Sequence, residues 1–217
     1  MAQLYQRIDG SHYAHIYVIG DLHGCYRLLQ QRLKEVGFNP NTDLLLSVGD
    51  LIDRGENSLA CLKLIEQPWF KAVRGNHEQM AIDALNKEHG ECLTWVINGG
   101  VWFTELSEAE RQEAKKLFHQ YQILPLIIEL DLEGEKVVIA HADYPSNHYD
   151  FDKEIDSEKV IWNRDRLLSN DQGSIDGALL FIFGHTPLKE IKTVANRVYI
   201  DTGAFFSGRL TLYKLKG

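Results

Sequence analysis

The stretch His15-Ile16-Tyr17-Val18-Ile19-Gly20-Asp21-Leu22-His23-Gly24 decides the fold. Its first half is a β-branched and aromatic run suited to a buried strand; it stops at Gly20, where a carboxylate and an imidazole follow between glycines. Beyond it Leu28, Leu29, Leu33 and Val36 have helical spacing, so the stretch reads strand, turn, helix. The pattern returns twice. Leu44 to Val48 is apolar up to Gly49-Asp50-Leu51-Ile52-Asp53-Arg54-Gly55, with Leu59, Leu62 and Ile65 on a following helix. Phe70 to Val73 leads into Arg74-Gly75-Asn76-His77-Glu78 and a helical Met80, Ala81, Leu85 stretch. Asp21, Asp50 and Asn76 are each separated by about the 30 residues of one strand-helix-strand unit. In open α/β sheets such turns, just past the carboxyl ends of strands, are where ligands bind.

The carboxyl half is richer in strands. Leu126 to Leu130 and Lys136 to Ala140 flank a hairpin turn expected over Asp131 to Glu135, and the second strand ends at His141-Ala142-Asp143. Ala178 to Phe183 ends at Gly184-His185-Thr186, and Val198 to Ile200 and Leu210 to Leu215 close the chain. Between the halves, Ser107 with Glu110 forms a capping box that opens a charged helix through about Tyr121, packed through Ala114, Leu117 and Phe118. Tyr144 to Gly177 is polar and irregular, with a few helical residues at most.

With 217 residues, 44% hydrophobic and 25% charged, residues 1–217 read as one domain with a sizeable core. The net charge of -8 argues against broad nucleic-acid binding, so affinity for a phosphorylated ligand requires a local positive field. Met1 to Gly10 has no basic-then-apolar signal pattern, and no apolar run approaches the roughly 20 residues of a membrane span; a cytoplasmic protein without membrane partners is expected. Cys25, Cys61 and Cys92 form no close pair and read as packing residues. A cysteine phosphatase frame, Cys-x₅-Arg, is excluded, because Gln31, Gln67 and Asn98 stand where its arginine would.

The strand-end clusters share one chemistry. Carboxylates, imidazoles and an amide are ligands for a hard-to-borderline divalent cation, and interleaved arginines suit a phosphate monoester. Asp50 follows an apolar strand, where burying a carboxylate costs several kcal/mol unless a cation compensates. Taken singly, each cluster has a bland reading: Asp21 and Asp50 as turn or helix caps, Asn76 as a cap, His141 and His185 as hydrogen-bonded structure. Taken together they indicate metal-dependent phosphoester hydrolysis. His12, His15, His89, His119 and His148 lack such neighbours and read as structural or solvent-facing.

In order, Gly-Asp-x-His-Gly, Gly-Asp-x-x-Asp-Arg-Gly, Gly-Asn-His-Glu, His-Ala-Asp and Gly-His-Thr resemble the motifs of the calcineurin-like metallophosphoesterases. Within them the set looks closest to the phosphoprotein phosphatases of the lambda-phage and small bacterial serine/threonine type. The resemblance runs from about Tyr17 to Gly203. It implies an α/β metallophosphoesterase fold, a central two-sheet β-sandwich of mixed strands flanked by helices with a dimetal site at strand ends.

The resemblance further implies one metal held by Asp21, His23 and Asp50 and a second by Asp50, Asn76, His141 and His185, with Asp50 bridging. Mixed oxygen and imidazole ligands suit Mn²⁺, the expected ion, with Zn²⁺ or Fe also found in the family. Hydrolysis would proceed by direct in-line attack of a hydroxide bridging the ions. Arg54 and Arg74 would grip the non-bridging phosphate oxygens, and His77, oriented by Asp53, would protonate the leaving oxygen. Trp162-Asn163-Arg164 resembles a segment that adds another phosphate-contacting arginine, Arg164 being preferred to Arg166. Asp143 either accepts the His141 ring hydrogen or caps a turn, and Asp201-Thr202-Gly203 reads as a structural turn. Implied substrates are proteins or peptides phosphorylated on serine or threonine, with phosphotyrosine as an extension; oligomeric state has no sequence signal.

Two other readings compete. A symmetrical diadenosine tetraphosphate hydrolase shares the metal motifs, but it typically has a small residue in place of Asp53, glycine in place of Asp143, and a longer chain. A non-catalytic phosphoprotein-binding module would keep the fold while losing a ligand, whereas all six ligand positions and His77 are filled here.

Overall fold

The computed structural model describes residues 4–86 and 91–217. His89 and the Cys92 side chain lie outside the described residues. Ten strands form two sheets: β1 (Tyr5–Asp9), β2 (Ile16–Ile19), β3 (Leu44–Ser47), β4 (Phe70–Ala72), β5 (Ile127–Leu132), β6 (Glu135–Ala140), β7 (Leu180–Phe183), β8 (Lys192–Val194), β9 (Arg197–Tyr199) and β10 (Leu212–Lys216). One sheet runs β10-β2-β3-β4, the other β1-β5-β6-β7-β9-β8. β2, β3 and β4 are parallel, as are β6, β7 and β9, while β10, β5 and β8 pair antiparallel with β2, β6 and β9. Both sheets are therefore mixed.

The sheets face each other across an aliphatic layer: Ile16, Val18, Leu44 and Leu46 from one side meet Ile128, Leu130, Val137, Ile139 and Ile182 from the other. The alternate residues Tyr17, Ile19 and Leu45 point to the opposite face, where helices cover them. A strand buried on both faces carries apolar side chains at consecutive positions, which is why β2 and β3 read as unbroken apolar runs. The covering helices are α1 (Tyr26–Glu35), α2 (Ser58–Leu62), α3 (Asn76–Asn86), α4 (Glu91–Trp95), α5 (Trp102–Glu105) and α6 (Glu108–Tyr121). They contribute Leu29, Leu62, Met80, Ala81, Trp95, Leu117 and Phe118 to that layer. The capping box at Ser107 and Glu110 is formed in full.

On the outer face of the six-stranded sheet, Tyr5, Val138, Tyr144, Tyr149, Val160 and Phe181 form a third cluster. The segment between β6 and β7 supplies Tyr144, Tyr149 and Val160 to it and holds two short helices, α7 (Ser157–Trp162) and α8 (Asp165–Leu168); a last short helix, α9 (Ala204–Ser207), precedes β10. The turn between β5 and β6 narrows to Glu133-Gly134, with φ of 57° and 92°; two central residues of positive φ make the tight hairpin turn that matches strand twist. Strands β1 and β8 stand at the sheet's edges and expose much of their surface, so neither has the apolar pattern that marks a core strand. Among the described residues no helix is long and apolar enough to cross a membrane.

Candidate dimetal and phosphate site

Asp21 and His23 follow β2, Asp50 follows β3, Asn76 opens α3 just past β4, His141 follows β6 and His185 follows β7. Carboxyl ends from both sheets thus meet at one edge of the sandwich. The loops after β3 and β4 touch: Gly49 has φ 97°, and a Cβ there would lie 2.6 Å from the Gly75 nitrogen. Five non-glycine residues here adopt left-handed backbone, His23 (42°), Asp50 (49°), Asp53 (74°), Arg54 (69°) and His185 (68°). Each such conformation costs roughly 1–2 kcal/mol, so the surroundings must hold it in place.

Three imidazoles are oriented alike. His23 Nδ1 donates to the Ile52 carbonyl at 2.9 Å, His141 Nδ1 to the Val48 carbonyl at 2.7 Å and His185 Nε2 to the Trp162 carbonyl at 3.3 Å. The second nitrogen of each ring then presents a lone pair to the cluster. Asn76 Oδ1 lies 2.8 Å from His141 Nε2 and 2.9 Å from His185 Nδ1, and these two nitrogens are 3.2 Å apart. Asp50 Oδ2 lies 3.4 Å from His141 Nε2 and 3.8 Å from His23 Nε2. Acceptors converging in this way require a shared proton or a cation. Donors bonded at about 2.1 Å to one ion stand about 3 Å apart, so the set Asp50, Asn76, His141 and His185 fits a divalent cation.

Electrostatics agree with this donor chemistry at His23 and His185, whereas at His141 a cation would have to displace a proton. Burial, reinforced by His77 and His141 respectively, holds the His23 and His185 pKa values at about 3, so both rings are neutral, the form that ligates. Burial would lower His141 too, but Asp50 beside it raises its pKa to about 9. Burial, Asp201 and Asp50 push the Asp21 carboxyl well above the ordinary range, a cost a cation would remove. Asp21 stands at the margin of the set, both its oxygens accepting the His185 amide at 3.1 Å. Donor atoms of His23, Asp50 and His77 form one compact group and those of Asp50, His141 and His185 another, with Asp50 common to both.

Next to the first group is a buried imidazole–carboxylate pair. His77 Nδ1 donates to Asp53 Oδ2 at 2.6 Å, and Asp53 is fully buried. Arg54 reaches across the same corner: its guanidinium donates to His23 Nε2 and, at 3.0 Å, to His77 Nε2, and it lies 5.6 Å from the ring of exposed Phe206.

The other predicted residues are more dispersed. Arg74 Nη1 donates at 2.9 Å to the Gln122 carbonyl just beyond α6, and burial lowers its pKa; Arg74 makes no hydrogen bond to the cluster among the described residues. Arg164 is exposed, and its charge is one of the influences that lower His185. Arg166 is held in ion pairs with Asp143 at 3.2 Å and Asp171 at 2.8 Å. Because the His141 ring hydrogen goes to Val48, Asp143 does not receive it; Asp143 accepts instead from the Tyr144 amide and Asn163. Asp201 accepts the Gly203 amide at 2.8 Å, as a turn residue does, while lying near enough to Asp21 to raise it. His12, His15 and His148 pair with Asp9, Asp43 and Asp150, and His119 is exposed.

Residues 14–209 match the model of the calcineurin-like phosphoesterases. The chain belongs to this family. It is 48% identical over 215 residues to serine/threonine-protein phosphatase 2 of Salmonella typhimurium, covering 98% of both chains. It is 30% identical over 220 residues to an asymmetrical bis(5'-nucleosyl)-tetraphosphatase of Anoxybacillus flavithermus, covering 89% of this chain and 87% of that one. A solved structure described as a putative diadenosine tetraphosphatase superposes with a TM-score of 0.68 at 19% identity, covering 99% and 98% of the two chains, a likeness of fold.

For three residues of this candidate site the sequence motifs assign no role. Glu78, fully buried, accepts the amides of Asp50 at 2.9 Å, Leu51 at 2.8 Å and Gly75 at 3.0 Å, tying together the loops after β3 and β4; burial and Asp50 raise its pKa to about 7. Trp95 donates to both Asp53 oxygens at 3.0 Å, and Trp102 to Oδ1 at 2.7 Å. Glu78 closes the Gly-Asn-His-Glu motif, which was its available signal. The tryptophans carried none, because their contacts to Asp53 arise only when α4 and α5 fold over it.

Proposed function

We propose that the chain is a metal-dependent protein serine/threonine phosphatase, acting on phosphorylated proteins or peptides, with phosphotyrosine as an additional substrate. The carrying observation is the buried Asp53–His77 pair, with Arg54 bonded to the far nitrogen of His77, beside a donor set suited to divalent cations. The 48% identity to a relative named as a serine/threonine-protein phosphatase supports the choice of substrate.

In this reading Asp21, His23 and Asp50 hold one cation and Asp50, Asn76, His141 and His185 the other, with Mn²⁺ the proposed ion. When bound, the cations supply Lewis-acid polarisation of the phosphoryl group and activation of the attacking water. The chain's own groups do the rest. Arg54 turns its two donor nitrogens to the non-bridging oxygens, where negative transition-state charge gathers; Arg164 and, on release from the Gln122 carbonyl, Arg74 are proposed to help stabilise that charge. Asp53 keeps the Nδ1–H of His77 directed at itself, leaving Nε2 to deliver a proton to the departing serine or threonine oxygen as the P–O bond breaks. Trp95 and Trp102 keep water from Asp53 and hold its carboxylate in register. A cytoplasmic location is proposed with this function.

Hydrolysis of dinucleoside tetraphosphates is the second reading, favoured by the 30% identical relative named for it. Parallel assays of a phosphoserine peptide and diadenosine tetraphosphate separate the two. A larger kcat/KM for the peptide is expected; a larger value for the dinucleotide would replace the proposal with the second reading.

A further inference from the structure

Asp143 lies two residues past His141 and is 3% exposed. Its carboxylate is surrounded by donors that come mostly from one distant segment. Oδ2 accepts from the Asn163 side-chain amide at 2.8 Å, while Oδ1 accepts from the Tyr144 main-chain amide at 2.8 Å and forms an ion pair with Arg166 Nε at 3.2 Å. Main-chain bonds repeat the attachment, since the Val160 carbonyl receives the Ala142 amide at 2.8 Å and the Asp143 amide at 3.3 Å.

Residues on both sides of Arg164 are thereby fixed while Arg164 itself stays exposed. On the amino side, the Trp162 carbonyl accepts from His185 and its ring meets the His185 ring edge-on at 6.1 Å. On the carboxyl side, Arg166 is braced by Asp171, whose main-chain carbonyl accepts from the fully buried Arg197 of β9 at 2.6 Å. Asp143 touches the side chains of Asn163, just before Arg164, and of Arg166, two residues after it.

We infer that Asp143 is a positioning residue for substrate phosphate: through Asn163 and Arg166 it holds the main chain that carries the exposed Arg164, next to Trp162 and its bond to His185. The inference rests on the proposed phosphate contact of Arg164. It assigns Asp143 a role apart from orienting His141, whose ring hydrogen goes elsewhere.

The experiment compares Arg164→Ala, Asp143→Ala, Asn163→Ala and the double variant Asp143→Ala/Arg164→Ala. Readouts are kcat and KM on a phosphoserine peptide, competitive inhibition by inorganic phosphate, and bound metal. Arg164→Ala should lower kcat/KM about tenfold to a hundredfold and weaken phosphate inhibition in step, the loss expected for a charge-assisted hydrogen bond. Asp143→Ala and Asn163→Ala should reproduce about fivefold or more of that loss, in KM and phosphate inhibition, with metal content unchanged. In the Arg164→Ala background, Asp143→Ala should cost less than about twofold, because neighbours acting as a unit are not additive. An equal Asp143→Ala loss in both backgrounds, or parental kinetics for both Asp143→Ala and Asn163→Ala while Arg164→Ala is impaired, would overturn the positioning role alone. Parental kinetics for Arg164→Ala would withdraw the phosphate contact of Arg164 and the inference together. If Asp143→Ala does not fold, Asn163→Ala, which removes only the Asn163 link, carries the test.

Discussion

His77 Nδ1 and Asp53 Oδ2 stand 2.6 Å apart, joining the first turn of α3 to the loop after β3, and both residues are buried. The pair fixes which imidazole nitrogen faces the cluster. Burial and Arg54 would lower the His77 pKa, but Asp50 and the bond to Asp53 outweigh them and raise it, which favours the protonated ring an acid role needs once Arg54 no longer donates to Nε2.

His77→Asn should therefore slow phosphoserine-peptide hydrolysis by roughly 10²–10⁴-fold, the range for losing a positioned acid. p-Nitrophenyl phosphate, whose aryl oxide leaves without a proton, should lose about tenfold or less. Steady-state kcat on both substrates gives the answer, and equal losses would remove His77 from the acid role.

Glu78 holds four main-chain amides of two loops, those of Asp50, Leu51, Ile52 and Gly75, so Glu78→Gln places an amide donor where an acceptor stood. The expected cost is about 2–4 kcal/mol in urea unfolding, together with weaker metal retention, since Asp50 loses the partner of its own amide. Unfolding free energy and metal content unchanged from the parent would show that the left-handed backbone of Asp50 is held by other contacts.

Acid sensitivity should appear away from the site. Burial alone would raise the Asp43 pKa, but the Asn39 amide at 2.8 Å, His15 and Thr42 outweigh it and hold the carboxyl below the ordinary aspartate value of 3.8. A depressed carboxylate pKa gives stability that is present above the unfolded value and disappears as pH falls through the folded one. Asp43→Ala should cost about 1–2 kcal/mol at neutral pH, and the gap from the parent should close below about pH 3.8. Urea titrations across that range test it; a constant gap would mean that Asp43 contributes only by packing.

Much of this architecture was legible in the chain. β2 and β3 are buried on both faces, so their sequences are apolar throughout and end abruptly at Asp21 and Asp50, which located both the sheet and the site. β1 was not legible because only Tyr5 is buried among its five residues, and its pairing with β5 depends on a partner far along the chain. Arg74 shows the limit of adjacency. It directly precedes Gly75 and Asn76, yet its side chain turns to the Gln122 carbonyl beyond α6, a contact set by helix packing and not by local spacing. The Trp95 and Trp102 bonds to Asp53 were hidden for the same reason.

Asp50 is the one residue common to both donor groups, and it takes this place with a left-handed backbone and a carboxylate 3.4 Å from His141. Asp50→Asn removes one negative charge while keeping shape, and bound metal and hydrolysis should fall together. Full metal content with parental turnover would refute its bridging role.

Hydrolysis is proposed to depend on two cations held by Asp21, His23, Asp50, Asn76, His141 and His185. The most direct measurement strips metal with a chelator, then adds Mn²⁺, Zn²⁺, Mg²⁺ or Ni²⁺ separately while recording metal bound per chain and phosphoserine-peptide turnover. Turnover should vanish in the stripped protein and return as occupancy approaches two ions per chain, most fully with Mn²⁺. Turnover by metal-free protein, or full turnover without any bound divalent ion, would contradict the account.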